Sequence, residues 1–399
     1  MKLLIIKIGL ICIVTSFTIY AQSIIKGKIT EYGSGKPVVN ANVFILKTLL
    51  GSSTSNNGNY EIKNVPEGYF TVVISHINYK TVKKRLSSSN GNTIIMNVEL
   101  EPKLLQLPEV TVEETEDEEW EENFEMFEKQ LLGTGFNAKH CKILNPYSVE
   151  FTKTDDGWLK AECNEPIVID NYALGYKLTY FLEFFETNGY TTKFSGQPHF
   201  EEIIPDNGND KNIYDENRLI TYCGSLTHFL KSLVEQFNYL EKQDSVIFEE
   251  DTLASQVSLR LNSKLEENGF TVLSASNLPW KSRFTPLYYP VNVAKIISEC
   301  EGSNYYCLEF KDYLQITYNR EWEDDEYLEM LGRYNEAPDY QTSWIKLHKD
   351  KVIIDRKGHF FDEFAIETFG YWSFEKLSDM LPFEYEVDDS TLINANWTY

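Results

Sequence analysis

Apolar and polar residues alternate with a period of two along much of the first hundred positions. After a Gly35-Lys36-Pro37 turn, Val39, Ala41, Val43 and Ile45 are separated by Asn40 and Asn42, the pattern of a half-buried strand. Asn56-Asn57-Gly58-Asn59 is a turn cluster that tolerates positive φ, and Tyr60 and Ile62 resume the alternation behind it. Pro66-Glu67-Gly68 turns the chain again before Phe70, Val72 and Ile74. This spacing predicts a seven-stranded type of antiparallel sandwich over residues 22–100, with Val43, Ile45, Tyr60, Ile62, Phe70 and Val72 inside.

Beyond residue 120 the pattern is mixed. Trp120, Phe124, Phe127 and Leu131 fall on one helical face, and Leu226, Phe229, Leu230, Leu233 and Phe237 recur at helical spacing behind Ser225 as the cap. Tyr147, Val149 and Phe151 alternate, and 167–169, 174–185, 190–194, 307–317 and 344–354 also read as strands. Lys349-Asp350-Lys351 and Lys357-Gly358 are candidate turns, and 374–380 predicts a short helix stopped by Pro382. Residues 120–399 fit one large domain. The expected fold class is therefore mainly β with some α: an N-terminal sandwich followed by a larger β-rich α+β domain. A linker over residues 101–119 joins them. Within it, 107–112 reads as an edge strand starting near Pro108, and the acidic run 113–119 as a solvated linker or the first turn of a helix.

The leader sets the compartment. Lys2 and Lys7 accompany an apolar run from Leu3 to Tyr20 that ends at Ala21-Gln22, which predicts a secretory signal peptide over residues 1–21. The alternative is a membrane anchor, for which the run is marginal in length, and no later run approaches the roughly 20 apolar residues of a span. Cys12 lies inside the run without small residues directly before it, unlike a lipoprotein signal. The expectation is an exported chain, in the periplasm or associated with the outer membrane, without a transmembrane segment in the mature protein. In that compartment Cys300 and Cys307 could pair across a hairpin; Cys141 and Cys163 are the other candidates, Cys223 is left over, and buried free thiols are the alternative. The formal net charge is −24, yet residues 22–100 carry nine Lys and Arg against four Asp and Glu, so the body is strongly acidic. That distribution disfavours nucleic acid as a partner.

The N-terminal strings also carry a resemblance. Gly27-Lys28-Ile29, the element from Pro37 to Val43, Thr54 to Tyr60, Val65 to Gly68 and Asn78-Tyr79-Lys80 resemble the carboxypeptidase regulatory-like domain, a transthyretin-like β-sandwich. Glu31, Ser55 and Asn78 depart from that pattern without disturbing the strands. The resemblance implies a non-catalytic accessory, not a peptidase. Leu107-Pro108-Glu109-Val110-Thr111-Val112 resembles the segment that follows this domain in outer-membrane receptors, but length and the lack of repeated amphipathic strands exclude a receptor barrel here. Four further strings resemble a family of uncharacterised exported bacterial proteins with a body of similar length. They are Phe136-Asn137-Ala138 with Cys141 and Leu144-Asn145-Pro146, then Leu174-Gly175-Tyr176, then residues 222–230, then residues 370–382. They imply a family and no activity.

Candidate chemistry is sparse. His199-Phe200-Glu201-Glu202 matches the H-x-x-E spacing of zinc carboxypeptidases, but His228 and His348 do not fall into place as further ligands, and the regulatory-like sandwich leads instead of following. Cys223, Ser225 and His228 lie close together, although Ser225 and His228 read better as a helix cap and a packing residue. Asp206, Asn207, Asn209, Asp210, Asp215 and Glu216 supply oxygens of the kind calcium favours, without EF-hand order, and read as an exposed polar loop. No catalytic, cofactor-binding or metal-ligating residue is assigned, and no cofactor is expected. The functional expectation is a non-catalytic interaction or ligand-binding module of the envelope, with an envelope protein or glycan as partner. The alternative is a peptidase-like hydrolase in the body.

Overall fold

A computed structural model describes residues 23–89, 91–103, 114–205, 208–242, 263–281, 285–300, 305–362, 364–388 and 391–392. The leader, the 107–112 segment and Asp206-Asn207 lie outside the described residues. The chain divides into two units, one of Met1–Phe44 and Leu50–Leu104, the other of Ile45–Leu49 and Leu105–Tyr399.

In the first unit, β1 (Ser23–Glu31) pairs antiparallel with β4 (Asn59–Val65) and parallel with β7 (Thr93–Ile95) and β8 (Val98–Leu100). The second sheet runs β3 (Gly51–Ser53), β2 (Asn42–Ile45), β5 (Gly68–His76), β6 (Tyr79–Ser88). Val43, Ile45, Tyr60, Ile62, Phe70 and Val72 are buried, as the alternation requires. Two details differ from the sequence reading. The strand expected from Val39 starts only at Asn42, because Asn40 turns through φ +59° and it is Val38 that is buried. The described strands also number eight, not seven, because the last is broken at Met96. There the Tyr60 hydroxyl donates to the Met96 carbonyl (2.8 Å), and a Cβ on Gly27 would lie 1.9 Å from that same oxygen. Glycine is what lets the two backbones approach so closely.

The second unit opens with α1 (Glu114–Leu132), which takes up most of the acidic run and buries Phe127 and Leu131. These pack on a sheet ordered β10 (Val149–Lys153), β11 (Leu159–Cys163), β13 (Tyr176–Thr187), β12 (Ile167–Asn171), β9 (Cys141–Ile143), with β14 (Thr192–Glu202) hairpinned onto β13. Cys141 and Cys163 sit on strands separated by β12 and β13. At about 4.8 Å per strand they are far outside disulfide reach, and both are free.

The polar stretch after Asn207, expected as a loop, is α2 (Gly208–Tyr222). Its anchor is Arg218, whose guanidinium lies 4.0 Å from the Tyr176 ring centroid while Nε donates to the Leu174 carbonyl (2.7 Å). Next, α3 (Leu226–Lys242) buries Phe229, Leu230, Leu233, Val234 and Phe237, one continuous stripe at helical spacing. After α4 (Ser263–Glu267), this stripe meets two sheets. One runs β16 (Tyr288–Pro290), β15 (Phe270–Ala275), β19 (Tyr313–Trp322), β20 (Tyr340–Leu347), β22 (Ile366–Gly370). The other is β17 (Ile297–Glu299), β18 (Tyr306–Leu308), β21 (Val352–Ile354), where Cys300 and Cys307 form a disulfide across the β17–β18 hairpin. The expected 307–317 strand is split by Asp312 at φ +59°.

Following α5 (Asp325–Met330), the last helical segment also departs from expectation. In place of a helix over 374–380 there is α6 (Tyr371–Phe374), an extended Glu375 and a 3-10 turn at Leu377–Asp379. The Asp379 carboxylate accepts from the Lys376 amide (3.0 Å), which caps the second turn and stops the first from propagating. No helix of the described residues is long and apolar enough to cross a membrane, which says nothing about strands.

Candidate ligand-binding cleft

The residues singled out by motif do not converge. His199 and Glu202 are three apart on β14, and a period of two sends their side chains to opposite faces. His199 is buried at 6% exposure, and burial pulls its imidazole down to about 4, so it is neutral at pH 7. Glu202 is exposed and faces Arg218 at 3.5 Å. The Ser225 hydroxyl accepts from the His228 amide (3.2 Å) as the cap of α3. His228 Nδ1 accepts from the Gly224 amide (3.1 Å), and its ring is enclosed by Tyr222, Phe270 and Tyr318, so this histidine is a packing residue. Cys223 is buried, which pushes its thiol up to about 12, too high for a nucleophile. Asp215 pairs with Arg218 on α2.

A different set of residues surrounds a cleft of about 430 Å³. It is lined from β13–β14 by Tyr180, Phe194, Ser195 and Phe200, and from around the α2–α3 turn by Thr221, Tyr222, Ser225 and Thr227. The segments around 359–368 and 372–385 complete it with Phe360, Phe364, Trp372, Phe383 and Tyr385. Trp372 is fixed at both ends, its amide donating to Ser343 Oγ (3.0 Å) and its indole to the Gly224 carbonyl (2.8 Å). Polar chemistry is confined to a few groups. Lys47, from the Ile45–Leu49 segment of the second unit, and His359, stacked on Phe383 (4.0 Å) and bonded to Asp355 (3.0 Å), lie on the lining.

Glu375, Lys376 and Asp379 also line the cleft. Packed protein surrounds these groups, but they open onto the cleft, so they are half-buried by exposure while largely desolvated. Burial holds the Glu375 carboxyl well above the usual range, with Asp379, Glu321 and Asp324 pushing the same way. Burial also raises Asp379, against hydrogen bonds from the Lys376 amide, Asn137 Nδ2 (2.9 Å) and Ser378 Oγ (3.1 Å). The Lys376 ammonium is lowered by burial and supported by Asp379.

Residues 25–112 match the CarboxypepD_reg-like domain. The regulatory-like domain spans β2 to β8 and nearly all of β1, and apart from Lys47 the cleft is built from residues 180–385, beyond it. No curated protein matches the chain. Among solved structures, a type II cohesin–X-dockerin complex from Acetivibrio cellulolyticus is similar at 28% identity over 19% of this chain and 51% of that one, TM-score 0.17. The chain therefore spans about half of that structure. A candidate carbohydrate-binding protein from Bacteroides uniformis shares 12% identity over 39% of this chain and 56% of that one, TM-score 0.17. A candidate membrane-associated protein of unknown function from Bacteroides fragilis shares 15% over 47% and 84%, TM-score 0.17. Likenesses at these scores carry no argument about the cleft.

Sequence reasoning missed the cleft because its polar groups sit in strings that read only as family markers. Three of the four strings reach it: parts of 222–230 and 370–382 line it, and Asn137 bonds the lining residue Asp379, while Leu174 and Tyr176 hold Arg218 of α2.

Proposed function

We propose that the chain is an exported protein whose C-terminal body binds a small ligand in this cleft, with the CarboxypepD_reg-like domain as a non-catalytic accessory. The observation that carries the reading is the cleft itself. An aromatic cavity of about 430 Å³ with a few polar groups at defined places has the size and lining of a small-molecule site. Its larger partners are expected in the envelope, a protein or a glycan. The stacked pair Trp322 and Tyr340 (4.4 Å, 51% and 40% exposed) offers such a partner a flat aromatic face.

Binding of the neutral dye Nile red tests the reading. It should be taken up by the full chain and excluded by Thr227→Trp, which fills the cleft from the first turn of α3; equal uptake by both would refute it. Export is tested by terminal sequencing of the envelope fraction, expected to start near Gln22. A hydrolase reading draws on one observation, the Glu375 and Asp379 carboxyls that line the cleft and are raised by burial, since a raised carboxyl in a cleft can act as a general acid. Turnover of any ester or peptide that Glu375→Gln abolishes would favour it.

A further inference from the structure

The ligand class follows from the ionisable groups on the cleft lining, given that the cleft is a ligand site. Among the described residues none hydrogen-bonds the Glu375 carboxyl, whereas Asp379 accepts from three donors. The charged groups acting on Glu375 are Asp379 on the 3-10 turn, Glu321 on β19 and Asp324 ahead of α5, and all three are acids. Of the two lysines on the lining, Lys376 is drawn to Asp379 and lies over the Phe194 ring (5.8 Å), and Lys47 lies over the Phe383 ring (5.8 Å). The Tyr371 hydroxyl donates to Asp324 Oδ2 (2.8 Å). Glu375 is thus a carboxyl without a hydrogen-bond partner among the described residues, on the lining of an aromatic cavity.

We propose that the cleft takes an organic cation with an apolar body, its ammonium head against the Glu375 carboxyl and its body along the aromatic wall. A cation answers a carboxyl that no described side chain pairs, and Trp, Tyr and Phe faces add attraction to it in a desolvated site. The described residues contain no group of three or more His, Cys, Asp or Glu arranged for a metal ion, and one carboxylate with aromatic faces suits an ammonium better than an inorganic cation. Binding also has a proton signature. Burial holds the Glu375 carboxyl well above the usual range, and pairing with an ammonium favours the carboxylate, so binding is linked to proton release and tightens as pH rises.

Calorimetry on the full chain with 4-phenylbutylamine, 4-phenylbutanol and 4-phenylbutanoate tests this. The amine is expected to bind at least about tenfold more tightly than either isostere, a difference of about 1.4 kcal/mol. In buffers of different ionisation heat, proton release should accompany binding of the amine and not of the alcohol. Glu375→Gln should lose the tenfold preference and the proton release while binding the alcohol as before, with its melting temperature confirming the fold. Equal affinity for amine and alcohol, tightest binding of the acid, or amine binding without proton release would each overturn the proposal. If Nile red binds and the amine does not, the ligand class is wrong and the cleft reading stands; if neither binds, both fall.

Discussion

Glu321 offers a quantitative test of how the acidic interior of the second unit is held. It lies on β19 at 8% exposure, and its Oε1 has no hydrogen-bond partner among the described residues. Burial, with Asp324 adding to it and a hydrogen bond from Gln341 opposing, pushes its carboxyl from 4.5 up to about 8. The folded chain therefore holds a proton that the unfolded chain gives up, and folding is penalised increasingly as pH rises from 4.5 to 8. At pH 7 the penalty is about 3 kcal/mol, from 1.36 kcal/mol per pKa unit over the interval from 4.5 to 7. Glu321→Gln keeps the shape and removes the ionisation. It should be more stable than the native chain by about 3 kcal/mol at pH 7, with the difference vanishing below pH 4.5. Urea unfolding followed by tryptophan fluorescence reads this cleanly, since all seven tryptophans lie at position 120 or later and report the second unit alone. Other raised acids leave a pH slope in both chains, so the readout is the difference between them. Parallel pH profiles, or a less stable variant at pH 7, would refute the reasoning.

Three further outcomes follow from the packing. Val43→Asp places an unpaired charge at a fully buried sandwich position; a cost on the order of 3 kcal/mol or more should expose the first unit to protease while tryptophan fluorescence stays native. Peptide mapping of unreduced protein should recover Cys300 linked to Cys307 and all of Cys141, Cys163 and Cys223 as thiols; removing the bridge should cost about 2–3 kcal/mol for so short a loop, read from urea midpoints. Purified protein should contain less than stoichiometric zinc, and His199→Ala should lower stability by about 1–3 kcal/mol through a lost buried side chain, where an exposed histidine would be silent. One zinc per chain, lost in that variant, would reverse the reading of His199.

The sandwich was legible because its strands obey the simplest code, alternation bounded by turn residues such as Gly58 at φ +76° and Gly68 at φ +100°. The stripes of α1 and α3 were legible for the same reason at a different period. By contrast α2 was hidden. Its first two turns are polar, and what fixes it is Arg218 stacking on Tyr176, a contact that helix periodicity does not encode. The segment after Gly370 was misread as one helix because Asp379 looks like an ordinary helical residue until its carboxylate is seen capping a separate turn. The cleft was least legible of all: Tyr180, Tyr222 and Glu375 acquire a common environment only through the fold, and a raised carboxyl is a property of that environment.

The pairing of β1 with β7 and β8 has a consequence for biogenesis. The first described strand, β1, occupies the middle of its sheet, and Ile29 meets its partner Val98 only when nearly the whole unit has been made. A sheet whose central strand waits for the last one cannot close early, and such non-local pairing is slow. A nascent chain of this kind stays open until residue 100 has emerged, then locks in a single late step. Nascent chains ending before Thr93 should stay open to protease, and chains extended past Leu100 should become resistant all at once.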